Sequence, residues 1–385
     1  MQRKVIMYRV LVFGMTENPG GVESFLMNYY RNIDKSKIQF DFLCNSHAPV
    51  AYEDELIGMG ARTYHITARS TDYRKYKAEL EDLFRTKSKE WDAIWVNVSS
   101  LANIDYLKMA KKYGIRKRII HSHNSRNMDS KLRGFLHKIN RLVIKKYATD
   151  FWACAPDAAQ WFYTNKLMEQ VIIIHNAIDV EKFAYDEEKR KKYRKQIGCT
   201  DEYLIGNIGR FHFQKNQMFL LDVFAEILKI DSKCALVLIG QGEDEEKLKK
   251  KAVDLNISEK VYFVGIQKDI PGWLSALDLF LFPSVFEGLS VVALEAQANG
   301  VTVLASKGVI TEELRMNDNF MFFSLDKSPY DWGVEALAMK QYVRPDNEYI
   351  KQNFKLKGYD IQNEVKKIED RWLKDEKTIY IRNNK

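Results

Sequence analysis

The chain predicts an α/β protein of two domains, each built on a parallel sheet covered by helices. Three observations predict it. At 385 residues the chain exceeds one typical core and fits two domains of about 180 residues each. Apolar runs of strand length alternate with helical patterns from end to end, as parallel sheets with helical crossovers require. A charge-rich stretch, EKFAYDEEKRKKYRKQIGCT, interrupts the alternation at residues 181–200 and reads as the connection. The domains are therefore expected at 1–180 and 201–357.

In the first half, strands are expected at Arg9–Phe13, Gln39–Cys44, Arg62–Ile66, Ala93–Val96, Arg118–Ser122, Phe151–Ala153 and Val171–Ile174. The second half gives Leu204–Ile208, Leu236–Ile239, Val261–Val264, Leu279–Phe282 and Val301–Leu304. Val291–Ala298 reads as a helix. Ile361, Val365, Ile368 and Trp372 repeat along one face of another near the C-terminal end.

Composition narrows the class. Hydrophobic residues make up 46% and aromatic residues 12%, as in a well-packed globular protein. No apolar run approaches the roughly 20 residues of a membrane span. The opening MQRKVIMYRVLVFGM is short in apolar residues, contains Arg9 and lacks a small-residue cleavage pattern, so it reads as a first strand and not a signal peptide. Cys44, Cys154, Cys199 and Cys234 are widely spaced, which predicts free thiols and a reducing cytoplasm.

The charge is uneven. Residues 1–195 carry 35 Lys+Arg against 23 Asp+Glu, whereas the remainder carries 25 against 29. Residues 101–150 alone carry 13 basic and 3 acidic residues, which points to an anionic partner for the first domain. Within that stretch, KLRGFLHKINRLVIKKY sets Leu132, Phe135, Leu136, Ile139, Leu142 and Val143 on one helical stripe. Lys131, Arg133, Lys138, Arg141, Lys145 and Lys146 flank it. The apolar stripe is expected to pack on the sheet, while the cations favour an anionic membrane surface nearby.

Several residues could carry chemistry. Glu287 and Glu295 sit eight positions apart in PSVFEGLSVVALEAQANG. Glu287 falls in the loop after a strand and Glu295 about two turns into the next helix. Gly288, Leu289 and Ser290 would offer free backbone N–H groups at the helix start, a site suited to anions. Arg210 and Lys215 follow the strand LIGNIG and could neutralise a departing diphosphate. The pair Gly20–Gly21 follows the first strand and could let a ligand approach the backbone. His121 and His123 end a strand on one face, and both remain candidates. The chain contains no Asp-x-Asp, so no obvious carboxylate pair holds a divalent metal.

The run FVGIQKDIPGWLSALDLFLFPSVFEGLSVVALEAQANGVTVLASKGVITEEL resembles the nucleotide-sugar site of family-4 retaining glycosyltransferases. PGGVESFLMNYY, RIIHSHNSR, VIIIHNAIDVEKF and IGNIGRFHFQKN match in order. The resemblance is strongest to bacterial members that build capsular and exopolysaccharide repeat units. It implies the GT-B architecture, two Rossmann-like domains facing across a cleft, with a C-terminal helix at about 358–385 rejoining the first. It also implies a metal-independent retaining transfer from a nucleotide-diphosphate sugar, a UDP-sugar, to a saccharide or lipid-linked saccharide at the inner membrane face. The donor is a substrate; no separate cofactor is expected, and no nucleic acid.

By the same resemblance, Arg210 and Lys215, next to Gly209, stabilise the leaving diphosphate. Glu295 holds the ribose hydroxyls, and Glu287 the donor sugar. Leu289 and Ser290 give N–H groups to the distal phosphate, Ile266 lies by the base, and one of His121 and His123 contacts the sugar. The Gly20–Gly21 loop faces the diphosphate. A UDP-sugar 2-epimerase of the same architecture, a non-catalytic GT-B protein and a basic nucleic-acid binder are the competing readings.

Overall fold

The computed structural model describes residues 7–124, 131–287, 290–309 and 312–383, with side chains as far as residue 373. The chain divides into two compact units. One combines Met1–Ala177 with Ile361–Lys385; the other is Ile178–Asp360.

Among the described residues the first unit contains seven strands: β1 (Tyr8–Phe13), β2 (Ile38–Cys44), β3 (Thr63–His65), β4 (Ala93–Val98), β5 (Lys117–Ser122), β6 (Asp150–Ala153) and β7 (Val171–Ile173). They form one parallel sheet in the order β3-β2-β1-β4-β5-β6-β7. A parallel sheet is covered on both faces, so its strands are apolar throughout. The sequence IQFDFLC of β2 is buried along its whole length. Its two polar residues are satisfied: Gln39 Nε2 donates to the Tyr30 hydroxyl, and Asp41 receives Arg9 Nη1 at 2.8 Å and Trp91 Nε1 at 2.9 Å.

The second unit holds β8 (Tyr203–Ile208), β9 (Cys234–Ile239), β10 (Val261–Phe263), β11 (Leu279–Phe282), β12 (Thr302–Ser306) and β13 (Phe320–Phe323). They too are all parallel, in the order β10-β9-β8-β11-β12-β13. Sequence reasoning misses β13, a four-residue edge strand whose last three residues are only partly buried. A run so short carries no periodicity of its own.

Residues 181–200 are not a free connection. They form the helices Val180–Phe183 and Glu187–Gln196, which belong to the second unit. Their anchors are long-range. Arg190 Nη2 meets Asp278 Oδ1 at 2.6 Å, Arg194 Nη1 meets Asp278 Oδ2 at 3.1 Å, and the Tyr193 and Trp273 rings lie 4.8 Å apart. The chain leaves the second unit after Asp360, and the helix Ile361–Asn383 packs Trp372 against Trp95, Trp152 and Phe40 of the first.

Strand order reverses between β1 and β4 in the first unit and between β8 and β11 in the second. Ligands of open parallel sheets bind outside the carboxyl ends of the strands at such switch points. Most of the candidate residues cluster there.

Candidate functional site

In the second unit, two loops leave the switch point and are stitched together. One follows β8, the other β11. Val285 N–H donates to Gln214 O at 2.8 Å, Gln214 Nε2 to Phe286 O at 3.0 Å, and Asn216 Nδ2 to Pro283 O at 3.1 Å. Asn216 adopts a left-handed conformation with φ 58°, which Asn tolerates better than most residues. The turn brings Lys215 Nζ to 2.7 Å from Glu287 Oε1, with side-chain exposures of 16% and 6%. The same ammonium stands 5.1 Å from the centre of the Phe282 ring. Arg210 points elsewhere, to Glu243 Oε2 at 3.1 Å, and that pair is exposed.

The glycines set how closely these segments approach. A Cβ at Gly209 would stand 3.1 Å from Lys215 Cε, and one at Gly242 would stand 2.2 Å from Phe211 O. Gly240, Gly242 and Glu243 belong to this site but were not found by sequence reasoning. Their only signal is a Gly-x-Gly just past β9. Gly288 and Leu289 lie outside the described residues. Ser290 is buried at the start of the helix Val291–Asn299, its hydroxyl without a partner among the described residues.

Glu295 sits just over one turn into that helix, not two. It has no hydrogen-bond or ion-pair partner among the described residues. Desolvation raises its pKa from 4.5 to about 7, opposed by Lys182. A carboxylate so placed is poised to accept hydrogen bonds from a ligand's hydroxyls. Ile266, beyond β10, is 66% exposed.

In the first unit, Gly20 and Gly21 begin the helix Gly21–Asn32. A Cβ at Gly20 would stand 2.8 Å from Glu23 Oε2, whereas Gly21 has open space. A cavity of about 850 Å³ opens at the β1/β4 switch point, lined by Gly21, Glu23, Asn97 and Tyr106 among others. Glu23, which sequence reasoning also missed, is 5% exposed and accepts from Thr16 Oγ1 at 2.6 Å.

The two histidines differ in depth. His121 is sealed in the core, its ring stacked 5.9 Å from Trp95 and edge-on to Trp152; it has no surface for a ligand, which corrects its place among the candidates. His123 is half-buried, and burial lowers its pKa to about 3. Asn97 Nδ2 donates to Phe13 O and Trp95 O, so its Oδ1 accepts from His123 Nε2 at 2.9 Å. His123 is thereby held neutral, with Nδ1 as the acceptor.

Comparison with known proteins now decides the family. Residues 189–324 match the family described as glycosyl transferases group 1. EpsF of Bacillus subtilis, a glycosyltransferase by name, is 30% identical over 360 residues, spanning 90% of this chain and 92% of EpsF. The chain belongs to the group 1 glycosyltransferases. The UDP-Gal:α-D-GlcNAc-diphosphoundecaprenol α-1,3-galactosyltransferase of Escherichia coli is 27% identical over 53% of this chain and 54% of its own length. Anabaena HepE, solved with UDP and glucose, shares 17% identity over 94% of this chain and 99% of its own, with a TM-score of 0.74. The fold of this glycosyltransferase is thus GT-B.

One element of the glycosyltransferase departs from expectation. The helix Lys131–Val143 turns its polar side inward. His137 stacks on Trp161 at 4.3 Å and accepts from Leu101 N–H at 3.0 Å, Asn140 Nδ2 donates to Leu101 O at 2.7 Å, and Arg141 Nη2 donates to Gln160 O at 2.8 Å. The apolar stripe faces out instead of packing on the sheet: Leu132, Phe135, Ile139, Leu142 and Val143 are all exposed, Leu142 by 75%. No helix among the described residues is long and apolar enough to cross a membrane.

Proposed function

We propose that this glycosyltransferase moves a hexose from a UDP-sugar, with retention, to a lipid-linked saccharide at the anionic inner face of the cytoplasmic membrane. The observation that carries the reading is the Lys215–Glu287 pair at the β8/β11 switch point, with an unpartnered Glu295 in the helix that follows β11 and Arg210 in the loop that follows β8.

In this reading the ribose diol hydrogen-bonds Glu295, and Ile266 covers the base. Arg210, Lys215 and the backbone N–H group of Ser290 hold the diphosphate, beside Gly209. Their charge matters most as the sugar–phosphate bond breaks, because the leaving group gains negative charge. These cations do the electrostatic work without a metal. Glu287 orients the sugar. The acceptor hydroxyl attacks the anomeric carbon from the side the diphosphate leaves. The new C–O bond forms as the bond between the anomeric carbon and the bridging phosphate oxygen breaks, and the hydroxyl proton passes to that departing oxygen.

The outward apolar face of Lys131–Val143 supports the membrane half. Lys131, Lys138, Lys145 and Lys146, all exposed, flank it. Apolar residues that enter a headgroup layer, bordered by cations, suit an anionic bilayer.

The test is a thermal-shift screen of nucleotide sugars followed by a radiolabelled transfer assay on membrane extract. A UDP-sugar should stabilise the chain with mass-action dependence and donate label to a lipid-extractable product. Absence of stabilisation by every UDP-sugar overturns the donor, and label confined to water-soluble product overturns the acceptor.

A further inference from the structure

We propose that the cavity of the first unit seats an uncharged sugar ring of the acceptor, with Glu23 and Asn45 accepting hydrogen bonds from its hydroxyls. The inference rests on the glycosyl-transfer reading and names the groups that hold the acceptor.

Glu23 does not do the structural work that its position suggests. It is the third residue of the helix Gly21–Asn32, where a Glu ordinarily reaches back to the N–H of the capping residue. Here it accepts nothing from Gly20 N–H. Its one hydrogen bond among the described residues runs from Thr16 Oγ1 to Oε1 at 2.6 Å, and it has no ion-pair partner among them. Yet the residue is 5% exposed. Oε2 is left over, and it lies 2.8 Å from where a Cβ on Gly20 would stand, so the glycine gives the carboxylate its room. A carboxylate buried with an unused oxygen is costly, and a ligand hydroxyl donating to it removes that cost.

Asn45 supplies a second acceptor. Its Nδ2 donates to the Tyr106 hydroxyl, while its Oδ1 is buried without a partner among the described residues. Glu23 and Asn45 both line the cavity of about 850 Å³, a size within the roughly 300–1,000 Å³ of small-ligand sites. Other amides on the same lining are already occupied. Asn97 bonds Phe13 O, Trp95 O and His123, and Asn103 bonds the Tyr76 hydroxyl and Asp105 N–H.

Two free acceptors select a ligand that donates. Glu23 and Arg69 both line the cavity, neither in an ion pair among the described residues, so an ion of either sign meets repulsion as well as attraction there. Uncharged hydroxyls meet no such conflict. Phe13 adds an apolar surface: it is half-buried on the same lining, and its ring stacks on Tyr106 at 4.0 Å, which keeps it rigid. A pyranose ring presents C–H groups to such a surface and hydroxyls to the acceptors.

The experiment titrates the full chain by saturation-transfer NMR, with UDP at saturation. The probes are the methyl α-glycosides of glucose, galactose and N-acetylglucosamine, methyl α-glucosaminide and inorganic diphosphate. At least one of the three neutral glycosides should bind. Glu23→Gln and Asn45→Ala should each weaken it about tenfold or more, without changing UDP affinity. Unchanged glycoside affinity in both variants overturns the proposal. So does tighter binding of the glucosaminide than of every neutral glycoside, which makes the site one for a cation, or tighter binding of diphosphate, which makes it one for an anion. UDP binding with no glycoside bound overturns the sugar site alone. Glycoside binding that depends on Glu23, in a chain that does not bind UDP, keeps the sugar site and overturns the glycosyl-transfer reading.

Discussion

Lys215 and Glu287 form a 2.7 Å ion pair that is almost closed to solvent, although they lie 72 positions apart in loops from neighbouring strands. The pair means that the principal cation of the site is neutralised before any anion arrives. In the proposed reaction a diphosphate would compete with Glu287 or share its lysine, and the ion pair holds Lys215 in place beforehand. Pre-organisation of this kind lowers the reorganisation needed as the leaving group charges.

Two substitutions should separate the cations. Lys215→Ala and Arg210→Ala should each lower kcat by roughly 100-fold. Only Lys215→Ala should also lower Tm, because it leaves Glu287 buried without a cation, at a cost of about 3 kcal/mol. The Arg210–Glu243 pair, with side-chain exposures of 68% and 58%, is worth under about 1 kcal/mol. Donor hydrolysis and a melting curve check both. Equal Tm losses would show that the two cations do not differ as their burial implies.

Glu295 predicts a pH dependence. Its folded-state pKa of about 7 exceeds the ordinary 4.5, so between these values the folded chain holds a proton that the unfolded chain has released. This group's contribution to stability therefore declines as pH rises from about 4.5 to 7. Donor binding runs the other way, since hydroxyls hydrogen-bond the charged carboxylate. Affinity for UDP-glucose should fall as pH drops below 7, by at most about tenfold per unit. Glu295→Gln should bind more weakly, on the order of 2 kcal/mol, and lose this pH dependence. A Gln variant with the wild-type profile would assign the titration elsewhere.

Divalent ions should matter little. If Arg210 and Lys215 neutralise the diphosphate, EDTA should leave transfer within about twofold, and Mg²⁺ should not rescue Lys215→Ala. Strict dependence on a divalent ion would remove these residues from that role.

The sequence discloses what is local and hides what is relational. Strands such as β9, CALVLI, are legible because a parallel strand is apolar on both faces. Glu187–Gln196 passes for a connection because EEKRKKYRKQ is nearly all charged, while its anchor, Asp278, is more than 80 residues away. Alternation puts His121 and His123 on one face, and their rings are 4.2 Å apart, but it is silent on depth, which makes one of them core. Glu23, Gly240 and Gly242 matter only through what crosses them. Periodicity identifies Lys131–Val143 as amphipathic, yet it does not say which stripe meets the protein. That is decided by Leu101, Gln160 and Trp161, which offer polar groups and an aromatic ring to His137, Asn140 and Arg141.

That inverted helix gives the last prediction. Five exposed apolar residues on one stripe are costly in water unless something covers them, and the lysines beside them select an anionic cover. Arg141 is excluded from the test, because it bonds backbone carbonyls of Gln160 and Tyr163 and its loss would disturb the fold. Lys131, Lys138, Lys145 and Lys146 changed to Gln should weaken binding to phosphatidylglycerol vesicles by about 1 kcal/mol per cation at low salt. The wild type should lose the same binding as salt shortens the Debye length. Phe135→Ser with Leu142→Ser should weaken binding to anionic vesicles at high salt as well, since buried apolar area is not screened. Both sets should leave UDP affinity unchanged, because they lie in the other unit from Glu295 and Lys215. Vesicle flotation reads the outcome. If the serine variant floats like the wild type, the stripe does not enter the bilayer, and the cations alone, or nothing, hold the enzyme there.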